Sequence, residues 1–179
     1  MTSDDLWVYD ESIRPAHPEL TNQFLRAMGS LAATVTIAAA ASPTAGRTGA
    51  TATAVCSLST EPPMMVVCLN RESSLAKMLR TTGWFSVNLL AAGQEGIATD
   101  FSGRTGLSGE NRFGPQWTAH HSGTPVLTGA VATCICRIVN SMQQATHTVI
   151  VGEVHDVVMP DATAPRPLLY HDRRFTTLT

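Results

Sequence analysis

Threonine and serine hydroxyls alternate with small side chains along residues 51–59, at Thr51, Thr53, Ser57 and Ser59. A period of two is typical of a β-strand, because successive side chains point to opposite faces of a sheet. A strand with so few bulky side chains packs poorly against a core. Hydroxyls and backbone amides without steric bulk instead suit a large flat ligand that lies against the chain. We therefore predict that this strand is one wall of a ligand site.

A second candidate site follows at Asn70-Arg-Glu-Ser-Ser74, which combines amide, hydroxyl and guanidinium groups. The residues after it, 75–80, have helical spacing. Ser73 or Ser74 can cap this helix, and the free N–H groups of its first turn would then face a negatively charged group. This pattern predicts an anion site. An ordinary helix N-cap that binds no ligand explains the same residues equally well.

The sequence offers few residues for side-chain catalysis. It contains no recognisable Ser-His-Asp set, carboxylate pair or metal-binding cluster, and it lacks the Gly-x-Gly-x-x-Gly motif of a dinucleotide-binding Rossmann fold. The four cysteines lie in apolar runs, and the spacing of Cys134 and Cys136 does not match a zinc site. We predict that the cysteines are buried thiols, that no metal is bound, and that the compartment is reducing, namely the cytoplasm.

Composition limits the possible partners. A chain of 179 residues fits one domain. Only 15% of its residues are charged and 44% are apolar, which indicates that a cofactor or a second subunit covers part of the surface. The net charge of −2 favours neither nucleic acid nor an anionic membrane as a partner. No apolar run reaches the ~20 residues of a membrane helix, and the acidic N-terminus has no apolar signal core, so we expect no export.

Hydrophobic periodicity and turn residues divide the chain into a polar arm, residues 1–18, and one domain, residues 19–179. The first helix is predicted at 19–28, with Thr21 as its cap. A strand at 31–41 is predicted to form a hairpin with the strand that begins at Gly49. Many short strands with a few short helices predict a mainly β fold, a small β-barrel. The other predicted segments are strands at 64–69, 83–90, 126–140 and 148–159, helices at 75–80 and 94–101, a loop at 102–125 and a turn at 161–167.

Ordered motifs along residues 24–175 accompany these elements: Thr34-Val-Thr36, Gly49-Ala-Thr-Ala-Thr, Ser57-Leu-Ser-Thr-Glu-Pro-Pro63, Phe85-Ser-Val-Asn88, Arg112-Phe113, Gly123-x-Pro125, Gly129-Ala130, Cys136, His147-x-x-Ile150-x-Gly152-Glu-Val154 and Leu168-Leu-Tyr170. In their order and spacing the chain resembles the flavin reductase family with the FMN-binding split-barrel fold. That family comprises short reductases that supply reduced flavin to two-component monooxygenases. The sequence departs from the common pattern of that family at three places: Thr34 replaces glycine, Ala50 replaces methionine, and the pair Ala145-Thr146 replaces Gly-Asp.

The resemblance implies a Greek-key-like split barrel that works as a homodimer, with flavin sites at the subunit interface. It implies that FMN or FAD lies along the wall at 51–59, with its phosphate near 70–74. NADH or NADPH would stack over the flavin beside His147, Tyr170 and Arg173, and an oxygenase would receive the reduced flavin by diffusion. The cofactor-binding residues that follow from the resemblance are Thr34, Val35, Thr36, Thr51, Ala52, Thr53, Ala54, Ser57, Leu58, Ser59, Asn70, Ser73, Ser74 and Phe101.

The resemblance favours NAD(P)H-dependent reduction of free flavin over two alternatives. One is a split-barrel protein that binds flavin without catalysis, and the other is an oxidoreductase that retains its flavin and acts on an organic substrate. Because hydride transfer needs little acid–base help from the protein, His147 is expected to position the nicotinamide rather than to transfer a proton. From the residues alone, a half-buried strand histidine bonded to the backbone is the simpler interpretation of His147.

Overall fold

The structure of the protein is a computed structural model that describes residues 7–9, 17–160 and 165–178. The predictions for the rest of the 1–18 arm and for most of the 161–167 turn lie outside the described residues. The helices are α1 (Pro18–Gly29), α2 (Ser74–Thr82) and α3 (Glu95–Phe101), with a short 3-10 helix at Gly109–Arg112. The strands are β1 (Trp7–Tyr9), β2 (Ala33–Thr34), β3 (Thr36–Ser42), β4 (Gly46–Ala52), β5 (Val55–Thr60), β6 (Pro63–Asn70), β7 (Trp84–Leu89), β8 (Trp117–Ala119), β9 (Pro125–Leu127), β10 (Ala132–Gln144), β11 (His147–Val158), β12 (Leu168–His171) and β13 (Arg174–Thr177).

Most strands belong to one eight-stranded sheet, in the order β4-β3-β7-β10-β11-β6-β5, with β1 paired in parallel to β10. The other neighbours in this sheet are antiparallel. Two small sheets, β13-β12-β2 and β8-β9, accompany it. The mainly β fold with a few short helices is therefore confirmed. No hydrogen-bonded pairing among the described strands joins β4 to β5, so the sheet does not close into a barrel.

Strand β3 is buried on both faces, which explains its run of small and β-branched residues. Ala38 and Ala40 belong to a core cluster that includes Leu75 and Leu79 of α2. Ile37 belongs to a second cluster, together with α3 side chains and the aromatic residues of the following loop. Strand β4 continues from β3 through a hairpin and contacts both α2 and α3. Strand β4 therefore packs against both helices.

The first residues of two helices show how local sequence sets a helix boundary. Helix α1 begins at Pro18, because proline favours the first helical position. Thr21 does not cap it, since its hydroxyl donates instead to the carbonyl oxygen of His17 at 3.2 Å. Helix α2 follows the prediction, because the Ser73 hydroxyl accepts a hydrogen bond from the N–H of Ala76 at 3.1 Å.

Within the described ranges, no helix is both long enough and apolar enough to cross a membrane.

Residues 51–59 do not form the single strand that their alternation predicts. Strand β4 ends at Ala52 and pairs with β3, the chain leaves the ladder at Thr53 and Ala54, and β5 begins at Val55 and pairs with β6. The two halves therefore have different partners in the sheet. The prediction of one continuous wall is wrong, because period-two alternation does not report a bend between two strands.

Candidate functional site

A cavity of about 440 Å³ lies where β4 and β6 end beside the first turn of α2 and the last turn of α3. Its volume is within the range of small-molecule sites. We call it the β4 cavity. Small, hydroxyl-bearing and amide residues dominate its lining, with one guanidinium group: Gly49, Ala50, Thr51, Ala52, Thr53, Ala54, Cys68, Leu69, Asn70, Ser73, Ser74, Phe101, Ser102, Gly103, Arg112 and His147.

Gly49 allows an aromatic ring to lie against the backbone of β4. A Cβ atom at this position would stand 2.8 Å from Cε1 of Phe101 and 3.0 Å from the carbonyl oxygen of Ala38, so no larger residue fits without a shift. The Phe101 ring packs edge-to-face against Phe113, with centroids 5.0 Å apart, and tilted against Trp117 at 5.2 Å. This aromatic cluster holds Phe101 in place. The cavity therefore has a rigid lining of backbone and ring atoms on this side.

Hydroxyl and amide side chains from the loop before α2 and from its first turn also line the β4 cavity. Ser73 caps α2, and the Ser74 hydroxyl shares a hydrogen bond of 2.8 Å with the Thr48 hydroxyl. The side-chain oxygen of Asn70 accepts from the N–H of Glu72 at 2.9 Å. These bonds fix the loop, while the N–H groups of a helix's first turn have no acceptor within the helix. The arrangement suits a negatively charged group of a ligand.

Arg112 brings a positive charge to this cavity from a distant part of the sequence. Its Nη1 donates to the carbonyl oxygen of Gly49 at 3.2 Å, and its Nε donates to that of Leu107 at 2.8 Å. Glu110 ties the same loop to β4 through an ion pair of 2.7 Å with Arg47. Hydrogen bonds from the Arg47 side chain and backbone lower the pKa of the Glu110 carboxyl. The guanidinium of Arg112 is therefore held by a loop that is itself anchored.

His147 begins β11 and lies opposite Asn70 of β6 in the antiparallel ladder. Its side chain is exposed at the cavity, and its Nδ1 shares a hydrogen bond of 2.9 Å with the hydroxyl of Thr146. The half-buried, backbone-bonded histidine that the residues alone suggested is therefore wrong. Ala145 in the preceding turn has a φ of 49°, in the region that favours glycine. The backbone conformation at Ala145 is therefore one that glycine, the residue expected there from the resemblance, adopts without strain.

The prediction that all four cysteine thiols are buried is wrong. All four are free, but only Cys136 is fully buried, and Cys56 is exposed on β5 at the edge of the sheet. Burial, and secondarily the neighbouring Cys56, raises the pKa of the Cys68 thiol, so Cys68 lines the cavity as a neutral side chain. Among the described residues, no group of three or more histidine, cysteine or acidic side chains could hold a metal ion.

A second cavity, of about 220 Å³, adjoins the first and shares Thr51, Thr53 and Ser102 with it. We call it the aromatic cavity, because Tyr170 and Phe175 line it with their rings edge-to-face and their centroids 5.4 Å apart. The Thr51 hydroxyl donates to the carbonyl oxygen of Ala98 at 2.6 Å, so its proton is already used. Thr53 is exposed and lines both cavities. The remaining residues that line the aromatic cavity are Val35, Ala98, Thr99 and Arg104.

The predicted site residues fall into three groups. The β4 cavity brings together Thr51, Ala52, Thr53, Ala54, Asn70, Ser73, Ser74, Phe101 and His147. The aromatic cavity contains Val35 and Tyr170. Neither cavity is lined by Thr34, Thr36, Ser57, Leu58, Ser59 or Arg173.

The residues that line neither cavity lie elsewhere in the fold, and Thr34 of β2 pairs with Leu169 of β12. Thr36 is buried, and its hydroxyl donates to the carbonyl oxygen of Ala52 at 2.8 Å. Ser57, Leu58 and Ser59 lie on β5, beyond the bend that ends β4. Arg173 lies in the turn between β12 and β13, beside Gly29 and Leu25 of α1.

Sequence analysis did not identify Arg112 as a site residue, nor did it identify the backbone that lines the cavity at Gly49. Two features of the sequence indicated that this region contributes to a site. The loop at 102–125 is longer than a compact domain normally needs, which is typical of a loop with a role in a site. The Arg112-Phe113 motif also lies within that loop. Sequence spacing alone could not predict contact between positions so far apart.

Comparison with known proteins agrees with this architecture. The NADH:FAD oxidoreductase of Streptomyces globisporus C-1027, solved in complex with NAD and FAD fragments, superimposes with a TM-score of 0.80 at 26% identity, over 93% of this chain and 98% of that one. The styrene monooxygenase flavin reductase of Pseudomonas putida S12 superimposes with a TM-score of 0.78 at 27% identity, over 87% and 97% of the two chains.

Sequence relatives give the same result. An FMN reductase (NADH), RutF, of Ancylobacter novellus is 42% identical over 154 residues, which cover 86% of this chain and 82% of that protein. The reductase component of 4-hydroxyphenylacetate 3-monooxygenase from Pseudomonas aeruginosa is 38% identical, over 75% and 79% of the two chains. The model of the flavin reductase like domain matches residues 28–179. The chain belongs to the flavin reductase family.

Proposed function

We propose that this protein is an NADH-dependent flavin reductase whose reduced flavin leaves for a partner oxygenase. The observation that carries the proposal is the β4 cavity, whose lining combines small side chains of β4 with the Arg112 guanidinium and the first turn of α2. Membership of the flavin reductase family supports it. So do the names of the relatives, which include an FMN reductase (NADH) and the reductase component of 4-hydroxyphenylacetate 3-monooxygenase.

The residues of the β4 cavity fit a phosphorylated flavin. Ala50, Ala52 and Ala54 line the cavity with single methyl groups, which leaves space for a planar ring system, while Gly49 lets the Phe101 ring lie against β4. The Arg112 guanidinium and the first turn of α2 match a phosphate in charge and in donor geometry. Arg112 is therefore our candidate for the phosphate ligand, together with Ser73 and Ser74.

The bound flavin supplies the redox chemistry, since it accepts the hydride that nicotinamide donates. The task of the protein is to hold both partners at a short distance in the correct orientation. Thr53 offers an exposed hydroxyl at the junction of the two cavities, whereas the Thr51 proton is committed to Ala98. His147 is the polar side chain that we expect beside the nicotinamide, in a positioning role.

We further propose that the protein is a homodimer. Helix α1 has no buried side chain, and it exposes Leu20, Phe24, Leu25 and Met28. Such an apolar face indicates a surface that a partner covers.

We propose the cytoplasm as the compartment, because four free cysteines fit a reducing environment.

The experiment that tests the function is a turnover assay that crosses FMN and FAD with NADH and NADPH. NADH absorbance should fall rapidly when a flavin is present, with air as the final electron acceptor. Flavin should be lost on dialysis, because it is a co-substrate. Flavin binding without NADH oxidation would identify a non-catalytic flavin-binding protein instead. Flavin retained through dialysis would favour an oxidoreductase that acts on an organic substrate.

A further inference from the structure

The turn between β8 and β9 joins a serine, a histidine and an aspartate in one hydrogen-bonded chain. The Ser122 hydroxyl lies 2.8 Å from Nδ1 of His120, and Nε2 of His120 lies 3.0 Å from a carboxylate oxygen of Asp156 on β11. Sequence spacing did not reveal this set, because Asp156 is 36 positions away from His120. Side chains linked in this order can act as a nucleophile, its general base and the group that orients the base.

The bonds around His120 determine which ring nitrogen carries the proton. The backbone N–H of Ser122 donates to Nδ1 at 3.2 Å, so Nδ1 of the neutral ring is an acceptor. Nε2 therefore holds the proton and donates it to the hydrogen bond with Asp156. The Ser122 hydroxyl must then donate to Nδ1 as well. In this arrangement the histidine is ready to remove the hydroxyl proton.

The His120 ring is shielded from solvent and held on both sides. Only 9% of its side chain is exposed, and the His121 ring lies against it with the ring centroids 3.8 Å apart. Hydrogen bonds from His120, and secondarily from the N–H of Val157, lower the pKa of the Asp156 carboxyl. The aspartate therefore stays ionised and keeps the ring in the tautomer whose Nδ1 faces Ser122.

Ser122 lines a cavity of about 510 Å³, which we call the hydroxyl cavity. Among the described residues, this cavity and the β4 cavity have no lining residue in common. Most of its lining side chains carry a hydroxyl group: Ser42, Thr44, Thr81, Thr82, Ser122 and Thr124. The Trp84 ring adds an apolar surface beside them. The volume and the polar lining suit a small polar ligand with a short apolar part.

Thr124 supplies a hydrogen-bond donor for the negative charge that develops when a carbonyl group is attacked. Its hydroxyl lies 3.0 Å from the Ser122 hydroxyl, and the residue is buried in the lining of the hydroxyl cavity. Because the Ser122 proton is directed at His120, Thr124 is the donor in this pair. It can therefore donate instead to an oxygen atom of a substrate bound next to Ser122, as side-chain donors do in an oxyanion hole.

We propose that Ser122, His120 and Asp156 form a second site, in which Ser122 is a nucleophile toward small carboxylic esters. His120 takes the hydroxyl proton while Oγ of Ser122 bonds to the carbonyl carbon. The bond to the leaving alcohol then breaks, and the proton passes from Nδ1 to the leaving oxygen. Water attacks the acyl-serine, gives one proton to Nδ1 and releases the carboxylic acid, and the proton on Nδ1 returns to Ser122. Asp156 is a positioning residue. This activity needs no flavin, so it goes beyond the proposed function.

A fluorophosphonate probe tests the nucleophile directly, because an activated serine displaces fluoride and keeps the phosphonyl group. Mass spectrometry of the full chain should locate the label on Ser122, and Ser122→Ala should remove it. Ser42→Ala is the matched control, since Ser42 lines the same cavity but its hydroxyl bonds to Thr44 rather than to a histidine. This control should be labelled like the parent.

Hydrolysis of p-nitrophenyl acetate measures turnover at the same site. The parent and Ser42→Ala should release p-nitrophenolate faster than Ser122→Ala does. A parent without a label on Ser122, or one that hydrolyses this ester no faster than Ser122→Ala, would overturn the proposal.

Variants of the other two residues test the base and its orientation. His120→Gln should slow the labelling of Ser122 roughly 100-fold or more, as expected when a general base is lost. Asp156→Asn should also slow it, and Asp156→Glu, which keeps the carboxylate, should recover part of the rate. If a thermal melt shows that His120→Gln does not fold, the two Asp156 variants decide the question at an exposed position.

Flavin-dependent oxidation of NADH should be the same in all these variants, because none of the three residues lines the β4 cavity. Labelling of folded His120→Gln at the parent rate would overturn the role of the histidine as a base. Equal labelling rates in the parent and in Asp156→Asn would overturn the positioning role of the aspartate, and so would a loss of rate that Asp156→Glu does not recover.

Discussion

The Nη1 atom of Arg112 lies 3.2 Å from the carbonyl oxygen of Gly49, to which it donates a hydrogen bond. The two residues are 63 positions apart in the sequence. The bond joins the loop after α3 to the strand that lines the β4 cavity, and it holds a guanidinium group in the lining of that cavity. One contact therefore fixes the charged group of the cavity to the backbone of β4.

Arg112→Gln keeps a hydrogen-bond donor at this position but removes the positive charge. If Arg112 binds the flavin phosphate, the variant should lose about 1.5–3 kcal/mol of FMN affinity. Riboflavin has no phosphate and should bind as it does to the parent. Flavin fluorescence titration measures both ligands. If riboflavin weakens as much as FMN, Arg112 acts only by holding the loop against Gly49.

Gly49→Ala tests the close approach of Phe101. The added methyl group would meet the ring at 2.8 Å and the Ala38 carbonyl oxygen at 3.0 Å, so we expect a loss of about 1–3 kcal/mol in the free energy of unfolding. Flavin affinity should also fall, because Phe101 must move. Gly96→Ala is the control: Gly96 lies in α3 with open space around it, and alanine there should stabilise the protein by up to ~1 kcal/mol. Urea unfolding of both variants checks the difference in sign.

Thr51→Val and Thr53→Val should affect different properties of the protein, although each removes one hydroxyl and the two positions are only two residues apart. Thr51 donates to Ala98, so its loss should lower stability by about 0.5–1.5 kcal/mol. Thr53 is exposed at the junction of the cavities, so its loss should lower flavin affinity by about the same amount and leave stability unchanged. Unfolding and fluorescence titration of each variant separate the two roles. Normal flavin binding by Thr53→Val would mean that its hydroxyl does not contact the flavin.

His147→Ala should raise KM for NADH and leave flavin affinity nearly unchanged. The melting temperature should also stay the same, because the side chain is exposed and its ring bonds to a threonine hydroxyl rather than to the backbone. Thr146→Val is the companion variant, since it removes that bond and keeps the ring. Steady-state kinetics and a thermal melt on both variants provide the measurements. An unaltered KM for NADH in His147→Ala would exclude His147 from the nicotinamide site.

Phe24→Glu should separate the proposed dimer into folded monomers. Phe24 is 58% exposed and its neighbour on the helix face, Leu20, is 63% exposed, while α1 buries no side chain in its own chain. A charge at this position should therefore disrupt an intersubunit contact without disturbing the core. Gln23→Glu adds the same charge to an adjacent exposed position and should remain dimeric. Sedimentation velocity measures both. Identical sedimentation of the two variants would exclude α1 from the interface.

The sequence by itself determined the local features of this protein. Period-two patterns and turn residues predicted a mainly β chain, and the hydroxyls before 75–80 predicted the helix that Ser73 caps. The motifs around Gly49 and His147 predicted the family. These features depend on neighbouring residues, whose spacing along the chain already reports which face or helix end they occupy.

Only the tertiary structure decided which of these residues meet. Residues 51–59 separate at Thr53 because β4 pairs with β3 and β5 pairs with β6, and alternation contains no information about strand partners. Arg112 reaches Gly49, Arg104 joins the aromatic cavity, and Arg173 lies beside α1 instead, although all three are exposed or half-buried arginines in loop-rich segments. Long-range contacts of this kind depend on how α2 and α3 pack against β4. No local sequence pattern specifies that packing.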